Sequence, residues 1–65
     1  MPKFAELKRE FRKAGCELRG QYSGHEEWYS PITGATFPMS RHNNQKVRKG
    51  MEMELRKQAG VPKKR

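Results

Sequence analysis

Sixty-five residues make one small domain at most, too short for a nucleotide-binding βαβ domain joined to a substrate domain. Hydrophobic residues are 32% and charged residues 34%, and 15 Lys plus Arg against 7 Asp plus Glu leave a net charge of +8. That balance favours a polyanion as partner (RNA, DNA or an acidic protein) over a merely solvated surface. The single cysteine excludes an internal disulfide and suits a reducing compartment. No apolar run exceeds two residues, and Met1-Pro2-Lys3-Phe4 is not the apolar core of a signal peptide. The expectation is a soluble cytoplasmic protein, marginally stable because so small a core rarely supplies more than about 3–5 kcal/mol.

Phe4, Leu7, Phe11 and Ala14 recur at helical spacing and predict a helix over 3–14. Glu6, Lys8, Arg9, Arg12 and Lys13 are expected mostly on its other face. Pro2 suits the start and Gly15 the stop. Cys16 and Leu18 then alternate with Glu17 and Arg19, a short strand signal, and residues 20–24 (GQYSG) read as a turn. Residues 25–30 form a second strand. Pro31-Ile32-Thr33-Gly34 turns the chain, and 35–39 form a third strand. Pro38 cannot donate to a ladder, so that strand belongs at an edge.

Residues 40–45 are polar and loop-like. Val47, Met51, Leu55 and Ala59 follow at spacings of four, a core-facing row of a second helix that properly begins near Lys49, since Gly50 weakens a helix interior. Gly60 and Pro62 end it. The predicted fold is α+β: a single domain over 1–62 in the order α-β-β-β-α, with two helices on one face of a three-stranded antiparallel sheet. Lys63-Lys64-Arg65 form a basic tail. The expected core is Phe4, Leu7, Phe11, Leu18, Trp28, Phe37, Val47, Met51 and Leu55.

A metal site is not expected, because one Cys with His25 and His42 is no recognisable ligand set. Glu26 and Glu27 are adjacent, so on a strand they point to opposite faces and do not share an ion. No Gly-rich loop leads from strand to helix, so no nucleotide cofactor is expected. Cys16, alternating with Leu18, reads as a buried apolar residue. His25 stands at the mouth of a strand, and histidine is the residue type that gives and takes protons near neutrality. RNA brings its own nucleophile, the 2′-hydroxyl, so one histidine amid cations covers much of the chemistry of backbone cleavage. A solvated loop histidine is the plainer reading.

Trp28 is expected in the core, with stacking on an unpaired base as its second reading. Tyr29 shares the face of His25 and Glu27 and is the aromatic better placed to meet RNA, or is simply exposed. Tyr22 and Ser23 are candidate phosphate contacts or simple turn residues. Arg41, His42, Lys46, Arg48 and Lys49 form a basic cluster between the third strand and the second helix, a phosphate-binding surface or a solvated one.

Three stretches together resemble the HicA family of bacterial toxins. The first is the opening helix leading into Ala14-Gly15-Cys16-Glu17-Leu18. The second is residues 23–31 (SGHEEWYSP), similar to the family's Gly/Ser-His-x-x-aromatic-x-x-Pro stretch. The third is Lys49-Gly50 followed by residues 55–61 (LRKQAGV), similar to its Lys-Gly-Thr…Leu-Lys-Gln-Ala-Gly-Ile ending. The chain departs from the pattern with Ser23-Gly24 for Gly-Ser, Met51 for Thr, and Arg48 for Pro. The resemblance implies a double-stranded-RNA-binding-like fold. It implies a metal-independent endoribonuclease acting on mRNA, with His25 catalytic and a HicB-type antitoxin as partner. Tyr22, Ser23, Tyr29, Arg41, Lys46, Arg48 and Lys49 are then the expected RNA contacts. The alternative is a non-catalytic RNA- or DNA-binding module of the same fold.

Overall fold

The computed structural model of the chain describes residues 1–22 and 24–63. The elements are α1 (Phe4–Lys13), β1 (Glu17–Tyr22), β2 (His25–Tyr29), β3 (Thr36–Ser40) and α2 (Lys49–Ala59). The strands form an antiparallel sheet in the order β1-β2-β3. The predicted α-β-β-β-α order is the observed one, and it is consistent with a double-stranded-RNA-binding-like fold. No helix among the described residues is long and apolar enough to cross a membrane.

Both helices lay their apolar sides on one sheet face. The core gathers Phe4, Leu7 and Phe11 from α1, Trp28 from β2, Phe37 and Met39 from β3, and Leu55 and Ala59 from α2, with Cys16, Val47 and Val61 closing its margins. Trp28 lies opposite Leu18 on one side and Phe37 on the other. The Phe37 ring meets Phe11 edge-to-face, with centroids 5.8 Å apart, a geometry that suits the ring quadrupoles.

The loop before α2 is sewn to the start of α1. The first free N–H groups of that helix, at Phe4 and Ala5, donate to the carbonyls of Gln45 and Asn43 at 3.0 Å each, and Val47 N–H donates to Pro2 at 2.8 Å. Glu6 accepts from Lys3 N–H at 2.8 Å. Donors that a helix start leaves unpaired are thus satisfied from across the fold.

At the other end, the fully buried Ser30 donates its hydroxyl to the Ala59 carbonyl. Thr33 Oγ1 donates to the Gln58 carbonyl at 2.6 Å. Gly60 ends α2 with φ +72°, and a Cβ there would stand 2.7 Å from Ile32 Cγ2. Only glycine fits both the left-handed backbone and this approach of the β2–β3 turn.

Arg56 joins the helices. Its guanidinium donates to both Glu10 oxygens at 2.6 and 2.9 Å and to Glu52 Oε2 at 2.8 Å, and it also reaches the carbonyls of Val61 and Pro62. The Glu10 contact raises its pKa above the ordinary arginine value against the opposing effect of burial, and Glu52 adds to the rise.

Five expectations are corrected. Lys8 is not on the solvent face of α1: it is 7% exposed, at the position after Leu7 on the apolar stripe. Met51 is 53% exposed, and Glu52 takes the buried position at 5%, neutralised by Arg56. Val47 is buried, but it precedes α2. Residues 20–22 continue β1 rather than turning, with a register shift between Leu18 and Gly20. Leu18 is only partly buried. Ser23 and the Lys64-Arg65 end of the basic tail lie outside the described residues.

Removing one partner of a buried ion pair strands the other charge, at a cost of about 3–5 kcal/mol. Arg56→Ala is therefore expected to abolish most of the domain's stability in urea denaturation. An unfolding midpoint within experimental error of the native chain contradicts the clamp.

Candidate active site

The site follows from the pleat of β2. Successive side chains of a strand point to opposite faces. Trp28 enters the core, so Glu26 shares the helix-covered face, while His25, Glu27 and Tyr29 stand on the open one.

Glu26 is held on the covered side by α1. Its Oε1 lies 2.8 Å from Lys8 Nζ and accepts from Trp28 Nε1–H at 3.0 Å. Lys8 also donates to Asn43 Oδ1 at 2.6 Å, and the Arg12 guanidinium sits 5.2 Å from the centroid of the Trp28 ring. Burial works to raise the Glu26 pKa. The hydrogen bonds from Lys8 and Trp28, with the charges of Lys8 and Arg12, outweigh it and hold the carboxyl below its ordinary value.

On the open face, His25 pairs with Tyr22 and Ser40, Glu27 with Gly20 and Pro38, and Tyr29 with Glu17 and Thr36. The Tyr22 ring lies 5.9 Å from that of His25, and its hydroxyl meets Glu27 Oε1 at 3.2 Å. Gly20 allows this posture, for the ring crosses directly above it, and a Cβ there would touch Cε2 and the hydroxyl at 3.4 and 3.5 Å. Tyr22, His25, Glu27, Thr36, Phe37 and Pro38 line a shallow cavity of about 320 Å³. Beyond it the Arg19 guanidinium covers the Tyr29 ring at 4.4 Å and pairs with Glu17. An imidazole, a carboxylate and a phenol thus share one concave surface, flanked by a cation stacked on an aromatic ring.

The sequence candidates divide. His25 and Tyr22 line the cavity, Tyr29 continues the same face, and Arg41 follows Ser40, the cross-strand neighbour of His25. Lys46, Arg48 and Lys49 are exposed but lie apart from the cavity lining. Lys46 bridges to Lys3 beside α1, Arg48 precedes α2, and Lys49 lines a different groove along α2, about 590 Å³ in volume. His42 is exposed on the loop after β3, its backbone N–H donating to Ser40 Oγ at 3.0 Å. Cys16 is buried. Among the described residues, no three His, Cys, Asp or Glu side chains gather as metal ligands do.

Sequence reasoning passed over Arg19, the Lys8–Glu26 pair and the hold of Tyr22 on Glu27. Strict alternation from Trp28 signals the inward face of Glu26. The Phe4-Leu7-Lys8-Phe11 spacing of three, four and seven signals Lys8.

A carboxyl held low in the folded state contributes stability above its unfolded pKa and loses that contribution as pH falls through the folded value. The native chain is therefore expected to lose stability relative to Glu26→Gln as pH drops below about 4.5. Thermal unfolding from neutral to acidic pH measures it, and parallel curves for the two chains contradict the ion pair.

A family model described as HicA toxin of bacterial toxin-antitoxin matches residues 4–61. No curated protein and no solved structure matches the chain. The match spans both helices and all three strands and includes the whole cavity lining. The chain belongs to the HicA family of toxins from bacterial toxin–antitoxin systems.

Proposed function

We propose that this toxin is an endoribonuclease that cuts mRNA without a metal ion, with His25 as its general acid/base. The observation that carries the reading is the place of His25. It is exposed on the open sheet face, at the rim of a cavity, with its ring against Tyr22.

Cleavage of RNA at its own 2′-hydroxyl needs a proton removed there, a proton delivered to the leaving 5′-oxygen, and stabilisation of charge at phosphorus. An imidazole at the rim of this cavity meets the first two needs. The +8 charge draws the polyanion. Arg41 stands at the same end of the sheet, and the Arg19 guanidinium, held over Tyr29, offers a cationic plane on which a base can stack. Ser23 belongs to the same proposed contact set. Lys46, Arg48 and Lys49 extend the cationic track away from the cavity and hold the strand outside the cut.

The partner in this reading is a HicB-type antitoxin that covers the open face. By binding only the folded toxin it also raises the stability of a small domain.

The test is a denaturing gel of a long single-stranded mRNA incubated with the native chain or His25→Ala, in EDTA. The native chain is expected to cut, with the variant slower by about 10²–10⁴, the contribution of a positioned acid/base. Intact RNA in every lane, with a mobility shift on a native gel, would make the chain a binding module instead.

A further inference from the structure

We infer that Glu27 is a second catalytic residue, the general base that takes the 2′-hydroxyl proton, leaving His25 as the acid that protonates the leaving oxygen. The inference rests on the ribonuclease reading above and divides its chemistry between two groups.

Cleavage requires two proton transfers on opposite sides of one phosphorus. A single imidazole must serve both ends of that reaction in turn. Glu27 stands two residues from His25 on the same strand face, so the two Cα atoms are about 7 Å apart. Both side chains line the same cavity. A phosphodiester lying along β2 therefore meets a carboxylate at one side and an imidazole at the other.

The carboxylate is also held in place. Tyr22 donates its hydroxyl to Glu27 Oε1 at 3.2 Å while its ring packs against His25, so one side chain touches both. Tyr22 is a positioning residue here. The gap above Gly20 lets it reach across the hairpin. No cation neutralises Glu27 in register: its cross-strand neighbours are Gly20 on β1 and Pro38 on β3, and those of His25 are Tyr22 and Ser40. Along this face Arg19 and Glu17 are paired with each other beside Tyr29, and Arg41 and His42 follow Ser40 in the chain. Glu26, adjacent in sequence, is on the other face and bound to Lys8. A carboxylate tethered by a hydroxyl keeps an oxygen free to accept a proton.

In the step, the Glu27 carboxylate takes the 2′-hydroxyl proton and the oxygen's electron pair forms a bond to phosphorus. The bond from phosphorus to the 5′-oxygen breaks, its electron pair stays on that oxygen, and the His25 imidazolium supplies the proton. The products are a 2′,3′-cyclic phosphate and a 5′-hydroxyl. Glu27 is left protonated and His25 neutral, and exchange with water restores both.

The experiment compares the native chain, Glu27→Gln and His25→Ala on a short oligoribonucleotide and on its counterpart with sulfur in place of one bridging 5′-oxygen. A thiolate leaves without a proton, so it bypasses the acid but not the base. On the ordinary RNA both variants are expected to be at least about 100-fold slower. On the sulfur substrate His25→Ala recovers most of its rate and Glu27→Gln does not. The native kcat/KM profile is bell-shaped, and Glu27→Gln lacks the limb that rises from acid pH. Tyr22→Phe keeps the ring but removes the tethering hydroxyl, so it is expected to slow the ordinary and the sulfur substrate alike, as loss of the base does. A Tyr22 that only packs against His25 would leave both rates near those of the native chain in Tyr22→Phe, since the ring remains. Glu27→Gln cutting at the native rate, or rescue of Glu27→Gln rather than His25→Ala by sulfur, overturns the assignment and leaves the ribonuclease standing. A native chain that cuts neither substrate overturns both.

Discussion

The phase of β2 governs the molecule. Trp28 is wholly buried between Leu18 and Phe37, and with a period of two its orientation dictates that of every residue on the strand. A slip of one residue would expose the indole and bury His25 and Glu27. Glu26 supplies a second lock on the same phase, since its oxygen binds both the Trp28 indole and Lys8 from α1. The open face is thus defined from beneath, by what the core and the first helix demand.

The same economy arranges the charge. Carboxylates facing the helix side are neutralised by cations: Glu26 by Lys8, and Glu10 and Glu52 by Arg56. On the open face Glu17 is paired with Arg19. Glu27 differs from these four in being held by a hydroxyl. The basic excess therefore stays on the outside, where it can meet a polyanion, while one carboxylate stands beside His25 between the uncharged neighbours Gly20 and Pro38. The distinction between Glu26 and Glu27 is one of face alone, and their chemistry diverges for that reason.

Much of this was legible in the residues. The Phe4-Leu7-Phe11 stripe, the alternation through Trp28 and the placing of Pro38 on an edge strand all correspond to observed elements. His25 with Tyr29 on the outer face followed from that alternation. The errors have physical causes. A row at spacings of four drifts about 40° per step around a helix of 3.6 residues per turn, so Met51 stands off the face that buries Leu55 and Ala59. Met51 rotates outward and Glu52 takes its place. Lys8 and Glu52 sit at stripe positions, but their charge disguised them: Lys8 depends on the distant Glu26, and Glu52 on Arg56 one turn away, itself clamped by the distant Glu10. Gly20 read as turn chemistry, yet its missing side chain serves the Tyr22 ring within a strand. The contact of Tyr22 with Glu27 depends on hairpin register and ring posture, which no local pattern encodes.

The account stands on the open face being where RNA is engaged. The most direct measurement is NMR shift mapping of the labelled protein with a single-stranded RNA methylated at every 2′-oxygen, which binds but has no nucleophile. The account predicts the largest changes at Tyr22, His25, Glu27, Tyr29 and Arg41. Changes concentrated on α2, with these five residues unmoved, would contradict it.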